Sequence, residues 1–310
     1  MSESAVAPVE AEVPIIRAAE ARSRWWRDPW RRPRVLGAFT WAYLAWSILP
    51  VAIAVLFSFN AGRSRSAWQG FSLRWYYQDP VLSVWHDPDL RTALFQTIRL
   101  AFLTTVIAVP IGVAFAIGID RWRRRPAAFF NFQMLLSFVM PELIIGVTLL
   151  FVVSDLFTFV HLGTRAQLLG LITFQISYPA IIVRARLLSI GREYEEAAMD
   201  LGASPTQALR RVLLPLLYPA IFASAVLVFA DVIDDFVIVR YLSSDASTEP
   251  MAVKIYNSAR SSPTPALNAL ATIMLALSLL MVVAGFVLYR RMTRGERQQK
   301  AALGELAAQL

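Results

Sequence analysis

Six stretches of mostly apolar residues, at 35–59, 100–119, 129–153, 166–183, 216–239 and 266–289, constrain this chain more than any other feature. A helix needs about 20 such residues to cross a bilayer. Lipid leaves a spanning backbone few alternatives to helix, because every peptide group must find its partner inside the segment. The predicted fold class is therefore all-α and polytopic, with six transmembrane helices. The 310 residues are 57% hydrophobic and 17% charged, with a mean hydropathy of +0.52, which excludes an ordinary soluble domain. The first stretch is too long for a signal-peptide core, and no clear cleavage site follows it, so it reads as a retained helix.

The formal charge of +8 raises the question of nucleic acid, and the placement of the charge answers it. Arginines crowd the tail before the first stretch, the connection after the second (Arg121, Arg123, Arg124, Arg125), the fourth connection and the C-terminal tail. The other connections are poorer in basic residues, or dilute them with Asp and Glu. Basic flanks favour the cytoplasmic side, so six helices with both termini cytoplasmic satisfy every segment. Anionic lipid is the expected partner of this charge. The domains expected are a basic cytoplasmic tail (1–34), a six-span domain (35–289) and a cytoplasmic C-terminal tail (290–310). The first 20 or so residues, rich in Ala, Glu, Pro and Ser, read as disordered.

No Cys and only two His, His86 and His161, leave no thiolate zinc site, cysteine nucleophile or convincing metal cluster. Prolines at 50, 110, 141 and 179 fall inside the apolar stretches. Each removes a backbone donor and kinks or interrupts its helix, which a membrane bundle tolerates where neighbouring protein or cavity water satisfies the freed carbonyl. Four such helices together point to a transporter with a central pathway.

The fourth connection is too polar to span and too long for a turn. Glu193 to Leu201 predicts a short helix with acids in its first turn, ended by Gly202. Ser204 then caps a second helix with Pro205 at its first position, continuing to Leu214 and stepping at Pro215 into the fifth stretch. By shape alone this is either a peg for a partner's groove or an amphipathic hairpin lying on the membrane.

The residues Glu196-Ala197-Ala198, then Gly202, Val212 and Leu214-Pro215 resemble, without a gap, the EAA loop of bacterial ABC importer permeases. The resemblance implies the type I importer permease fold, and a loop, 193–215, that inserts into a cleft of a separate ATPase. Its coupling residues would be Glu195, Glu196, Ala197, Ala198, Asp200, Gly202, Val212, Leu214 and Pro215. It also implies a second permease, two ATPase copies, an extracytoplasmic binding protein and a bacterial inner-membrane location. The chain's only lysines, Lys254 and Lys300, belong to no phosphate-binding loop, so ATP and Mg would be held by the partner and no cofactor by this chain.

Asp231, Asp234 and Asp235 close the fifth stretch. At 1.5 Å per residue Asp231 lies ~22 Å from Leu216, and Glu142 ~20 Å from Phe129, so the two acids have similar depth. Spacing of three and four places the aspartates on one side of a continuous helix. They either line an outward-reachable site for a cation, or are helix-end acids in water or paired with Arg99 or Arg240. The cation reading is favoured for Asp231 and Glu142, and the helix-end reading for Asp234 and Asp235. Residues 229–236, 250–256 and 268–272 further resemble the C-type permease of spermidine/putrescine importers, which implies a polyamine substrate. A permease for another solute, or an ion-coupled secondary transporter, is the alternative. Trp75, Tyr76 and Tyr77 in the first connection read as an interfacial belt or loop packing in preference to cation contacts.

Overall fold

A computed structural model describes residues 34–64, 67–121, 125–157, 159–261 and 264–308, with side chains of 34, 125–127 and 292–308 excluded. The expected N-terminal tail and Arg123–Arg124 lie outside these residues, as do the side chains of the C-terminal tail beyond Arg291. Among the described residues the elements are helices, with one isolated bridge between Asn60 and Phe71.

Helix α1 (Arg34–Ser58) contains Pro50. Its residues to Ala52 form one unit, a single apolar helix, and residues 53–310 form the other. In the second unit α2 (Pro88–Arg121) is followed by α3 (Arg125–Val139) and α4 (Glu142–Phe151), which a π-helical turn extends to Leu156. Next come α5 (Thr164–Gln175), α6 (Ser177–Ile190), α7 (Glu193–Asp200) and α8 (Pro205–Ala208). A π turn (Leu209–Leu213) leads into α9 (Leu214–Asp234), and α10 (Val237–Leu242), α11 (Met251–Ser261) and α12 (Pro265–Ala308) complete the chain. Among the described residues five segments are long and apolar enough to cross a membrane: Val35–Ser58, Pro88–Arg121, Thr164–Ile190, Pro205–Asp234 and Ala266–Arg291. A bent pair, Ala128–Val139 and Glu142–Leu156, makes a sixth.

The stretch 129–153 is interrupted at its proline, as expected: it turns through 104° at Met140-Pro141, where Pro141 cannot continue the ladder. The predicted spans are corrected in two places. The stretch 216–239 also breaks, because Asp235 is extended (ψ 127°) between α9 and α10. The second span begins at Pro88, a dozen residues before its apolar core. Arg91 and Arg99 hide that start from a hydropathy reading, while Leu90, Ala93, Thr97, Leu100 and Ala101 repeat the helical period on the buried face.

Helices approach closely where side chains are small, as membrane bundles require. At Gly112 an added Cβ would lie 2.4 Å from Pro179 Cγ and 2.8 Å from the Ile176 carbonyl, so the glycine seats α2 against the α5–α6 junction. Buried Leu171, Val183, Leu217, Val228, Val232 and Ile238 fill the core around these contacts.

At the end of α5 opposite the fourth connection, a polar network replaces apolar packing. Gln96 Nε2 donates to Gln167 Oε1 (2.9 Å) and Thr164 Oγ1 (2.8 Å). Gln167 Nε2 in turn donates to Ser243 Oγ (2.8 Å) and the Thr248 carbonyl (2.9 Å). The Met251 amide donates to Thr97 Oγ1 at 2.8 Å. These bonds tie α2, α5, α10 and α11 together at one level.

In residues 60–87 two of the aromatics, Trp75 and Tyr76, pack into the loop. Trp75 is fully buried and donates from Nε1 to the Asn60 carbonyl (2.6 Å), Tyr76 hydrogen-bonds Ser58, and Tyr77 is exposed.

Candidate functional site

Two regions carry the predicted site residues, and they are built differently. In the loop 193–215, α7 ends after Asp200 and Gly202 takes φ +88°, in the left-handed region open to glycine. Nothing lies within 4 Å of the position a Cβ would take there, so backbone conformation alone selects the glycine. Ser204 and Gln207 form a capping box: the Gln207 amide donates to Ser204 Oγ (3.3 Å) and the Ser204 amide to Gln207 Oε1 (3.0 Å). Pro215 has no amide to give the Arg211 carbonyl, and a π turn over Leu209–Leu213 precedes it.

Glu196, Ala197, Asp200 and Gly202 are exposed, Ala198, Val212 and Leu214 are half-buried, and Pro215 is exposed. Glu195 differs. It is 6% exposed and turned inward to an ion pair with Arg121. The sequence reading passed over Leu201, whose side chain stands 91% exposed at the elbow beside exposed Tyr194 and Met199. An apolar residue thrust from a polar loop was the available signal.

The second region gathers the helix interruptions. Glu142 opens α4 directly after the Pro141 break, Gln175 ends α5 at the Ile176 junction, and Asp235 occupies the gap between α9 and α10. Gly146, one turn beyond Glu142, brings α4 against α10: a Cβ there would lie 2.9 Å from the Tyr241 ring and 3.4 Å from Val237. Gln175 Nε2 donates to Asp231 Oδ2 at 2.6 Å. By helix rise Gln175 lies ~16 Å from Thr164 and ~22 Å from Ile190, so the aspartate it holds sits well inside the bundle.

Asp235 is 7% exposed. Its Oδ1 accepts from the Val239 amide (3.2 Å), capping α10, while Oδ2 is buried with no hydrogen-bond partner, as is Gln175 Oε1. Glu142, Asp231 and Asp235 lie within electrostatic reach of one another and of Tyr178, whose ring packs edge-on against Phe138 and Phe174.

The expected grouping of the acids is corrected at Asp235, where the helix has ended. Asp234 stays one turn after Asp231 on α9, within its electrostatic reach. It is exposed on a largely apolar cavity of about 570 Å³ with Phe236, Tyr256 and Ser278. Asp235, expected near the surface, is the most buried of the three because the backbone leaves the helix at that residue and turns its side chain back onto α10. Among the described residues no ion pair links these acids to Arg99 or Arg240. Asp231 is held by an amide, which orients a carboxylate without neutralising it. Among the described residues these three carboxylates have no basic partner, and one keeps a buried oxygen without a hydrogen bond; such groups can attract a cation. Gln96, Gln167 and Gln175 escaped the sequence reading. For Gln167 and Gln175 the signal was polar amides inside an apolar stretch, about two turns apart on one helix; Gln96 lies just before its stretch.

The chain is 32% identical over 259 residues to the spermidine/putrescine transport system permease protein PotC of Escherichia coli strain K12, covering 84% of this chain and 95% of that protein. It is likewise 32% identical over 279 residues to the putrescine transport system permease protein PotI of that strain, covering 88% and 94%. The sulfate transport system permease protein CysT of Salmonella typhimurium is 28% identical, covering 84% and 96%. A bacterial ABC transporter structure involved in import of the acidic polysaccharide alginate shares the fold, with a TM-score of 0.67 at 16% identity over 87% of this chain and all of that one. Residues 108–298 match the family described as binding-protein-dependent transport system inner membrane component. The chain is thus a multi-pass permease and not an enzyme, and it belongs to that family of inner membrane components.

Proposed function

We propose that the chain is the permease subunit of an ATP-driven importer that carries a polyamine of the spermidine/putrescine type across the bacterial inner membrane. Both termini face the cytoplasm, a second permease completes the pathway, and an extracytoplasmic protein delivers the solute. A separate ATPase dimer binds ATP and Mg and docks on the loop 193–215, with Glu196, Ala197, Ala198, Asp200 and Gly202 on its surface and Val212, Leu214 and Pro215 supporting them. Leu201 and Tyr194 add an apolar contact. The ion-coupled alternative is set aside by the family to which the chain belongs.

The observation that carries the substrate reading is the cluster of Glu142, Asp231 and Asp235 near the helix breaks, with no basic partner among the described residues and a buried Asp235 oxygen without a hydrogen bond. Ionised carboxylates pair strongly with ammonium groups, and a polyamine presents several along a flexible chain. The same charges repel sulfate, so the CysT likeness supports the fold and the loop, not the solute. Asp234, on its apolar cavity with Phe236 and Tyr256, offers a further acidic and aromatic surface at the edge of the pathway.

The test is the complete complex in liposomes with its binding protein, with ATP hydrolysis measured against putrescine, spermidine, amino acids, sugars and sulfate. Stimulation by a polyamine alone is the expected result. Stimulation by an anionic or neutral solute instead would assign the permease to that solute.

A further inference from the structure

The loop 193–215 is joined to α6 through Gly191, whose φ is +74° and around whose Cβ position nothing lies within 4 Å. Such a link places α7 without holding it. A pair of crossed ion pairs does hold it. Asp120 and Arg121, consecutive residues in the last turn of α2, face Arg192 and Glu195, which lie three apart on one side of the α7 start. Arg192 Nη2 donates to the Asp120 carbonyl (2.7 Å) and lies 3.5 Å from its carboxylate, while Arg121 Nη2 pairs with the Glu195 carboxylate. The signs also suit both helix ends. Arg192 gives the Asp120 carbonyl a side-chain donor, and Glu195 sits in the positive first turn of α7. Isolated exposed ion pairs hold little, but here the Glu195 side chain is only 7% exposed and two pairs act together.

Helix α2 is 34 residues long, ~51 Å by helix rise. At its opposite end Gln96 and Thr97 bond α5 and α11, and between the ends it packs against α6 and α9. We propose that Asp120, Arg121, Arg192 and Glu195 are positioning residues, an ionic joint that makes α7 and α2 move as one body, so that displacement of the loop reaches the far end of the permease. This rests on the reading that a partner ATPase drives the loop. It adds that the force enters the bundle through α2 as well as through the continuous path from α8 into α9.

The experiment compares Arg121→Glu, Glu195→Arg and the double exchange in the complete reconstituted complex, reading putrescine uptake and ATP hydrolysis on the same liposomes. Each single reversal is expected to lower solute carried per ATP about tenfold, a typical coupling free energy, while the ATPase still co-purifies. The double exchange is expected to restore the ratio to within about threefold of the parent, since it rebuilds the pair with its signs reversed. The milder Glu195→Gln, which keeps the shape and removes the charge, is expected to lower the ratio about threefold. A parent-like ratio in the single reversals, a lowered melting temperature with the ratio unchanged in Glu195→Gln, or an assembled double exchange as uncoupled as the singles would each overturn the joint. A parent complex with no ATP-driven uptake at all would instead overturn the importer reading, before any variant is compared.

Discussion

The loop 193–215 and the acid-bearing breaks both interrupt helices, by opposite means. In the loop the interruption is local: Gly202 turns the chain, and Ser204 with Gln207 restarts it. In the breaks it is distant. Asp235 leaves α9 although neither proline nor glycine stands in residues 229–236, and its conformation is held by α10 and by α4, itself brought close through Gly146. The first kind of break should answer to changes in backbone preference, the second to changes in charge and packing.

The largest effect should come from the charges. Asp231→Asn, Asp235→Asn and Glu142→Gln keep side-chain shape and remove attraction for a cation. A charge-assisted hydrogen bond is worth roughly 1.5–3 kcal/mol, so each should weaken apparent polyamine affinity about ten- to hundredfold while basal hydrolysis persists. Saturating uptake curves on matched amounts of complex measure this. Parent-like uptake by Asp231→Asn and Asp235→Asn would erase the distinction between the two regions, and Asp234→Asn, nearer water, should lose least.

Gly202→Val tests the loop from the side of backbone strain. A β-branched residue at φ +88° is strained by a few kcal/mol, although the space is open. Insertion and folding of the bundle should survive, while ATPase docking weakens about tenfold or more by titration with the purified ATPase. If docking and stimulated hydrolysis are unchanged, the elbow is not what the partner reads.

Removing the cap is a smaller perturbation of the same region. Ser204→Ala loses the capping box, about 1 kcal/mol of local helix stability, and should speed amide exchange in residues 205–209 without altering uptake more than about twofold. An effect on polyamine affinity as large as that of the acids would show that the regions are not separable in this way.

The smallest effect concerns the connection 60–87. The Leu82 and Val81 amides, with Arg74, hold the Asp79 carboxyl down to about 2. A folded value below the unfolded one near 3.8 means that the carboxylate stabilises this connection fully above about pH 4. That contribution fades as pH falls toward 2. Hydrogen exchange over residues 74–84 between pH 5 and 2.5 should show the loss, and Asp79→Asn should abolish the pH dependence.

Much of the molecule was legible in the residues alone. The apolar stretches gave the class, since lipid permits little else, and the loop yielded its helix ends, its elbow and its cap because each depends on one residue's backbone or one side chain's reach. The start of α2 was hidden because the helix there has one buried face and arginines on the other, a pattern that hydropathy averages away.

What the chain alone determined is therefore whatever follows from solvent and from backbone preference within a few residues: the class, the approximate places of the apolar stretches and the fourth connection's two helices. Only the tertiary structure decided which acids meet. Asp234 and Asp235 are neighbours in sequence with one chemistry, yet one faces an open cavity and the other is buried against α10. Glu195 and Glu196 part in the same way, one inward to Arg121 and one out. Adjacent side chains diverge according to which distant helix packs beside them, and that packing belongs to the whole bundle.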